Sequence, residues 1–375
     1  MKVLLLSILI FCISFSSFAD YGDLIKTFQF RADMFALHPN QKQVYVSSST
    51  ERVIRVIDLD NLTVTDTIQV PPRLPGSIYS NSIGMAFSDN GEKLFIASSN
   101  RKSIDVFNTQ TKTYENSIQI PTEGFDLEMG NNGNLYATPT INNNSPDPSG
   151  IMQINTNSME YLNTFWGGIP IYAQGYLEID NTRNKLYFGD AGYPTISTKF
   201  DVSTSQPVME WQNTPQSLGD NGLDLALSHN GEWITYMVGG GNRGSGNYPY
   251  SIYLMDTVNF EVQGVFSTGA YPREACFSPD DKIFYVAHNN RHLDVWDVET
   301  FQKYPDILLQ GAYYDDSQEL FVDPTGRYLF AEVESTYLKI FDTGREIVPE
   351  PASAMLLLLG TVWMRSKHRR NLLHG

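Results

Sequence analysis

Residues Glu274–Val298 read EACFSPDDKIFYVAHNNRHLDVWDV, and this stretch sets the fold. Ala275–Ser278 is a short apolar run that ends in the turn Pro279-Asp280-Asp281. Ile283–Ala287 and Leu293–Val298 are two further runs, separated by a polar loop that carries His288 and His292. Apolar runs of four to six residues bounded by turn chemistry specify β-strands rather than helices.

The chain repeats this pattern. An apolar residue followed by Asp or Asn closes a β-rich run at Ile57-Asp58, Phe107-Asn108, Ile154-Asn155, Phe200-Asp201, Met255-Asp256, Trp296-Asp297 and Phe341-Asp342. Successive copies lie about 40–55 residues apart, the period of a β-propeller blade. A second landmark precedes each copy: His38-Pro39-Asn40, Ser88-Asp89-Asn90-Gly91, Asn131-Asn132-Gly133, Asp180-Asn181-Thr182, Ser228-His229-Asn230-Gly231, Ser278-Pro279-Asp280-Asp281 and Asp323-Pro324-Thr325-Gly326. Two landmarks in register seven times predict an all-β, seven-bladed propeller. The seventh copy ends after Phe341-Asp342-Thr343-Gly344, one strand short, whereas Leu24–Phe30 is strand-like and belongs to no repeat. The N-terminal strand is therefore expected to complete the last blade and remove the open edge. The recurring Asp58, Asp201, Asp256, Asp297 and Asp342 are expected to bond the backbone of the next turn.

Three segments are expected: a signal peptide at 1–19, the propeller at 20–347 and a sorting or anchor segment at 348–375. Lys2, the apolar Val3–Phe15 and the small residues before Asp20 have the layout of a secretory signal cut after Ala19. Removal of that signal leaves one cysteine, Cys276, which predicts a buried inert thiol and no internal disulfide. The chain carries a net charge of −16, and its only basic cluster is the tail Arg365–Arg370. So acidic a body repels phosphate backbones, which excludes nucleic acid as a partner.

The repeats resemble the YVTN-type propellers, related to the beta-subunit-like domains of quinoprotein amine dehydrogenases. The resemblance covers Asp20–Ile347 and is best over Phe277–Asn289; the third and fourth copies are weak. It implies the fold more than a function, since those relatives are mostly surface or periplasmic proteins without established catalysis. WD repeats fit less well, because Trp296-Asp297 occurs once. At the C-terminus Pro349, Glu350 and Pro351, then the apolar Ala354–Met364, then Arg365–Arg370 resemble the PEP-CTERM sorting signal of Gram-negative bacteria. That resemblance implies an exosortase-type partner, surface or exopolysaccharide-associated export, and a short C-terminal apolar helix. Over Pro351–Met364 a helix would span roughly 21 Å against a hydrocarbon core of roughly 30 Å, which suits transient membrane contact during processing rather than a permanent anchor.

Candidate chemistry is sparse. No phosphate loop, nucleophile elbow, paired zinc-ligand histidine or haem-attachment motif occurs, so no cofactor and no metal are expected. Asp315-Asp316 and Glu332/Glu334 lack the spacing of a calcium loop. The residues just before each innermost strand converge on one mouth of a propeller channel. Here they include Arg31, Asp33, Glu123, Tyr172, Asp220, Arg273, Glu274 and Asp316, together with Asn81, Gln174 and Gln318. Two loop insertions, Thr138–Gly150 and Gly239–Pro249, are expected on the rim of the same face. The leading expectation is an exported binding or scaffold module at the cell surface or in exopolysaccharide, held by polysaccharide or another surface protein. The alternative is a lactonase-like hydrolase, or another enzyme, with its site at the channel mouth.

Overall fold

The computed structural model describes residues 20–48, 50–71, 84–97, 101–139, 150–166, 175–190, 196–213, 224–239, 250–309 and 319–345. Seven antiparallel sheets follow one another along the chain, and the protein is a seven-bladed β-propeller. Sheet order within a blade follows chain order, as in blade 3, where Gly124–Met129, Asn134–Pro139, Ile151–Asn155 and Glu160–Phe165 run from the channel outward. The expected signal peptide, the two rim insertions apart from their ends, the sorting motif Pro349-Glu350-Pro351 and the apolar C-terminal helix lie outside the described residues.

The ring closes as the repeat arithmetic predicts. Leu24–Phe28 pairs antiparallel with Tyr337–Asp342, matching Leu24 to Phe341 and Phe28 to Leu338. Backbone bonds from Gly22 N–H to the Asp342 carbonyl (2.8 Å) and from Asp342 N–H to the Asp23 carbonyl (2.9 Å) extend the seam. Blade 7 is thus built from both ends of the propeller segment.

Both recurring landmarks have a structural cause. Each apolar-Asp/Asn pair ends the third strand of its blade, from Val53–Asp58 to Tyr337–Asp342. The carboxylate or amide oxygen then accepts backbone N–H groups two or three residues on. Asp256 Oδ1 takes Val258 N–H (3.1 Å) and Asn259 N–H (2.6 Å), Asp297 takes Thr300 N–H (2.7 Å), and Asp342 takes Gly344 N–H (2.7 Å). In blades 1 to 6 these side chains close the turn to the outer strand, whereas Asp342 closes the exit of the chain from blade 7, whose outer strand is Leu24–Phe28. In the inner turns Gly91, Gly231 and Gly326 adopt φ of 70°, 65° and 73°, the left-handed region that glycine enters without steric cost. Asp281 holds the same position at φ 56°, and its carboxylate accepts His229 N–H (2.7 Å) and Asn230 N–H (2.8 Å) of blade 5. A residue less suited to the turn is kept because it ties two blades together.

The core is a ring of seven apolar clusters, one between each pair of neighbouring blades. The second strands are accordingly buried on both faces. Leu94–Ala97, Phe284–Ala287 and Leu329–Val333 contain apolar residues with essentially no exposed surface, interrupted by the buried Glu332. Fully burying one such side chain contributes about 1.5–3 kcal/mol. Neither face of any blade is stable against water, so each blade requires two neighbours. Blade 5 is the least regular: its inner segment meets the sheet through a single bridge, Leu227 to Ile234. There Thr235 Oγ1 accepts the Ala226 N–H (3.0 Å) beside the backbone bond from Thr235 N–H to the Ala226 carbonyl (2.9 Å).

Deleting residues 20–28 exposes one edge of blade 7 and removes one of its three strand pairings. We expect the truncated protein to lose its single sharp thermal transition and to self-associate on a sizing column. An unchanged monomer with the same melting temperature would refute the closure.

Candidate functional site

The inner turns supply a common ruler for the channel wall. His38, Ser88, Ser228, Ser278 and Asp323 each donate their N–H to the carbonyl five residues on, while Gly130 and Asp180 occupy the same turn in blades 3 and 4. Four residues before that point stand Met34, Gly84, Asp126, Tyr176, Asp224, Glu274 and Glu319 in blades 1 to 7. Two residues before it stand Ala36, Ala86, Glu128, Glu178, Ala226, Cys276 and Phe321. Alternation along a strand sends both sets to one side, the face toward the next blade, where Ala86, Ala226, Cys276 and Phe321 pack, and at the inner edge of blades 3 to 7 that face fronts the channel. Asp126, Glu128, Tyr176, Glu178, Asp224, Glu274 and Glu319 all line one cavity of about 540 Å³.

The wall is therefore asymmetric. Six carboxyl groups come from blades 3 to 7, opposite the apolar or minimal side chains of blades 1 and 2. Gly84 has a steric reason: a Cβ there would meet the Phe125 carbonyl oxygen at 2.1 Å. Blade 3 leans onto blade 2 at that point.

Four of the carboxyls do a backbone task. The inner edge of each inner strand has amide groups with no further strand to pair with, and the preceding blade supplies an acceptor. Asp126 Oδ2 accepts Leu177 N–H at 2.8 Å, and its Oδ1 accepts Leu127 N–H at 2.8 Å. Asp224 likewise accepts Leu225 and Ala275 N–H, Glu178 accepts Leu227 N–H, and Glu274 accepts Leu320 N–H. Each link joins one blade to the next from blade 3 through blade 7.

Electrostatically the cluster is strained toward the neutral form. Burial raises Asp126 to about 7 despite its two amide donors. Burial also raises Glu274 to about 7, and it raises Glu128, Glu178, Asp224 and Glu319 well above the usual carboxylate range, with neighbouring carboxylates adding to it. Glu319 and Glu274 share a hydrogen bond, which requires a proton on one of the two. This is how two close carboxyls behave when both cannot ionise. Burial likewise pushes Cys276 and Tyr176 up, so the thiol is unreactive.

The candidates drawn from sequence divide into three groups. Glu274 is in the cluster, and Arg273 lines the same cavity from the bulge before it, its Nε donating to Asn289 Oδ1 at 2.9 Å. Arg31 and Asp33 pair with each other (Nε to Oδ1 2.6 Å) at the start of blade 1, and Asp33 acts on Glu319 through its charge. Glu123 precedes the inner strand of blade 3. Tyr172, Asp220 and Asp316, like Asn81, Gln174 and Gln318, lie outside the described residues. Reading the residues before the strands missed Asp126, Glu128 and Glu178, which stand within strands, Asp224, three residues before the Leu227 bridge, and Glu319, which directly precedes Leu320–Val322. Counting back four and two from the inner turn finds every one. Cys276 is on the channel wall and half-buried, not enclosed in the core. His288 and His292 end and begin strands Ile283–His288 and His292–Asp297 instead of floating in a loop. Glu332 is buried within Tyr328–Val333, and Glu334 follows in the turn. Comparison of the sequence with models of known protein families and with curated proteins finds no match.

The raised carboxyls set a sign for the pH dependence. The folded chain holds protons on Asp126 and Glu274 up to about pH 7, whereas the unfolded chain releases them at their ordinary values of 3.8 and 4.5. Folding thus takes up protons between about pH 4 and pH 7, and stability must fall as pH rises through that window. We expect the melting temperature to be higher at about pH 5 than at pH 8, with a flatter profile in Asp126→Asn. A melting temperature that climbs across this range would contradict the assignment.

Proposed function

We propose that the protein is an exported binding or scaffold module of the cell surface or exopolysaccharide, and that its acid-lined channel takes a cationic ligand. One observation carries the ligand class. Six carboxyls converge on one cavity in which, among the described lining residues, Arg273 is the sole lysine or arginine. A bound cation would relieve their mutual repulsion and restore the ionised form, so ligand charge and proton release are coupled. Each amide-bonded carboxylate keeps lone pairs that the backbone link does not use. Hard cations favour such oxygen ligands, and an ammonium group on a sugar or polyamine can use the same acceptors.

Two sequence features support the cellular setting: the N-terminal signal layout, and the C-terminal resemblance to a PEP-CTERM signal through Pro349, Glu350 and Pro351, which implies processing by an exosortase-type enzyme. The resemblance to YVTN-type propellers is compatible with a surface role.

A second reading has its own support. The Glu319–Glu274 pair holds a proton close to neutrality, the condition for general acid and base work on a lactone or ester. The two readings separate in one set of measurements. Calorimetric titration with Ca²⁺, Mg²⁺, spermidine and amino-sugar oligosaccharides at pH 7.5 should show binding with proton release. Glu178→Gln combined with Glu319→Gln should weaken it by roughly tenfold or more. A lactone and ester panel should show no turnover. Turnover that disappears in Glu274→Gln would establish the hydrolase instead, and the absence of cation binding would remove the binding reading.

A further inference from the structure

Blade 6 carries a second cluster on its face toward blade 5, away from the channel wall. His288 is the last residue of Ile283–His288, while His292 and Asp294 lie on the adjacent strand His292–Asp297. The two strands bring His288 Nε2 to 3.2 Å and His292 Nε2 to 3.4 Å from one oxygen, Asp294 Oδ1. One donor atom each of His288, His292 and Asp294 falls within 4.8 Å of the other two. Asp306, just before the outer strand, places Oδ2 at 3.5 Å from His292 Nε2.

The donor atoms of these side chains converge on a common centre. His288 and Asp294 are essentially without exposed surface. Among the described residues neither ring nitrogen of His288 has an aligned hydrogen-bond partner, although its Nε2 comes within 3.2 Å of Asp294 Oδ1, an oxygen that Lys303 Nζ also approaches to 2.8 Å. For metal–ligand bonds of 2.0–2.1 Å, neighbouring donors of a tetrahedron stand about 3.3–3.4 Å apart, the separation seen on three of the edges. Space for the His288 ring is kept by Gly269 of blade 5, where a Cβ would strike Nδ1 at 2.5 Å.

We propose that His288, His292, Asp294 and Asp306 hold a divalent metal ion of the zinc class as a structural staple. Two imidazoles and two carboxylates suit a borderline ion better than calcium or magnesium, which prefer all-oxygen shells. Lys303 shares both carboxylates, with Nζ 2.8 Å from Asp294 Oδ1 and 2.9 Å from Asp306 Oδ1, and would compete with the ion for them. Its side chain is 37% exposed and has room to swing into solvent as metal enters past the partly exposed His292 and Asp306. The staple joins the last three strands of blade 6 beside blade 5, whose inner segment has a single bridge to its sheet. Cys276 is the only cysteine of the described residues, so no disulfide serves this purpose there.

The test uses the purified full chain stripped with chelator and titrated with Co²⁺ alone, then Zn²⁺. We expect one equivalent of Co²⁺ to give the intense visible absorption of tetrahedral coordination, displaced by Zn²⁺, and a rise in melting temperature. His292→Gln and Asp306→Asn, both at partly exposed positions, should each weaken binding roughly tenfold or more. Lys303→Met should strengthen it, because no ammonium competes, and this variant keeps the test decisive if a histidine variant misfolds. Glu274→Gln and Glu319→Gln should leave the spectrum unchanged. A missing tetrahedral band, a band that survives His292→Gln in a folded protein, or one lost instead in Glu319→Gln would overturn the proposal.

Discussion

Every blade of this protein is apolar on both faces, and that requirement governs the rest of the structure. A free four-stranded sheet with Phe95, Ile104 and Val106 on its faces has no stable exposed state in water. Neighbours on each side satisfy it, and the sequence of neighbours ends only when blade 7 meets blade 1. There Phe330, Leu338 and Ile340 pack with Phe30, Val44 and Ile57. The pairing of Leu24–Phe28 with Tyr337–Asp342 adds a hydrogen-bonded seam to that packing. Ring closure removes an edge and buries a seventh apolar interface in the same step.

Each sheet keeps an outer edge and an inner edge, and the inner edges face the channel. Carboxylates from the preceding blade cap amides there, as Asp126 does for Leu177. An acid is the strongest short-range acceptor available for such a group, but it is also costly to desolvate. The cost appears in Asp126 and Glu274, both raised to about 7 by burial. The inner wall is thus a structural seam that stores charge demand. That combination makes it receptive to a cation or a proton without any further machinery.

The architecture was legible because its causes are local. Asp256 and its six counterparts recur since every third strand ends in the same side-chain-closed turn, and Gly91, Gly231 and Gly326 recur since the inner turns of their blades place a left-handed residue there. The unmatched Leu24–Phe30 predicted its own partner by elimination. The site was less legible. Glu274 is among the mouth residues, but Asp126 stands inside the strand Gly124–Met129 and Asp224 three residues before the Leu227 bridge, beyond the positions that Glu123 and Asp220 represent. Their importance depends on which face of a strand meets the channel, which a bulge such as that between Pro272 and Glu274 can shift. The His288–Asp294 cluster depends on strand pairing. Spacing of four residues across a loop carries no sign of convergence until the two strands are placed side by side.

The central claim is that the channel carboxyls of the folded protein remain protonated near neutrality until a cation arrives. Infrared difference spectroscopy at about pH 6.5 reads this directly, because a protonated carboxyl absorbs apart from an ionised one. The account predicts a carboxylic C=O band that weakens in Glu319→Gln and vanishes when a channel cation is added. A spectrum showing only ionised carboxylates at that pH, with or without cation, would contradict it.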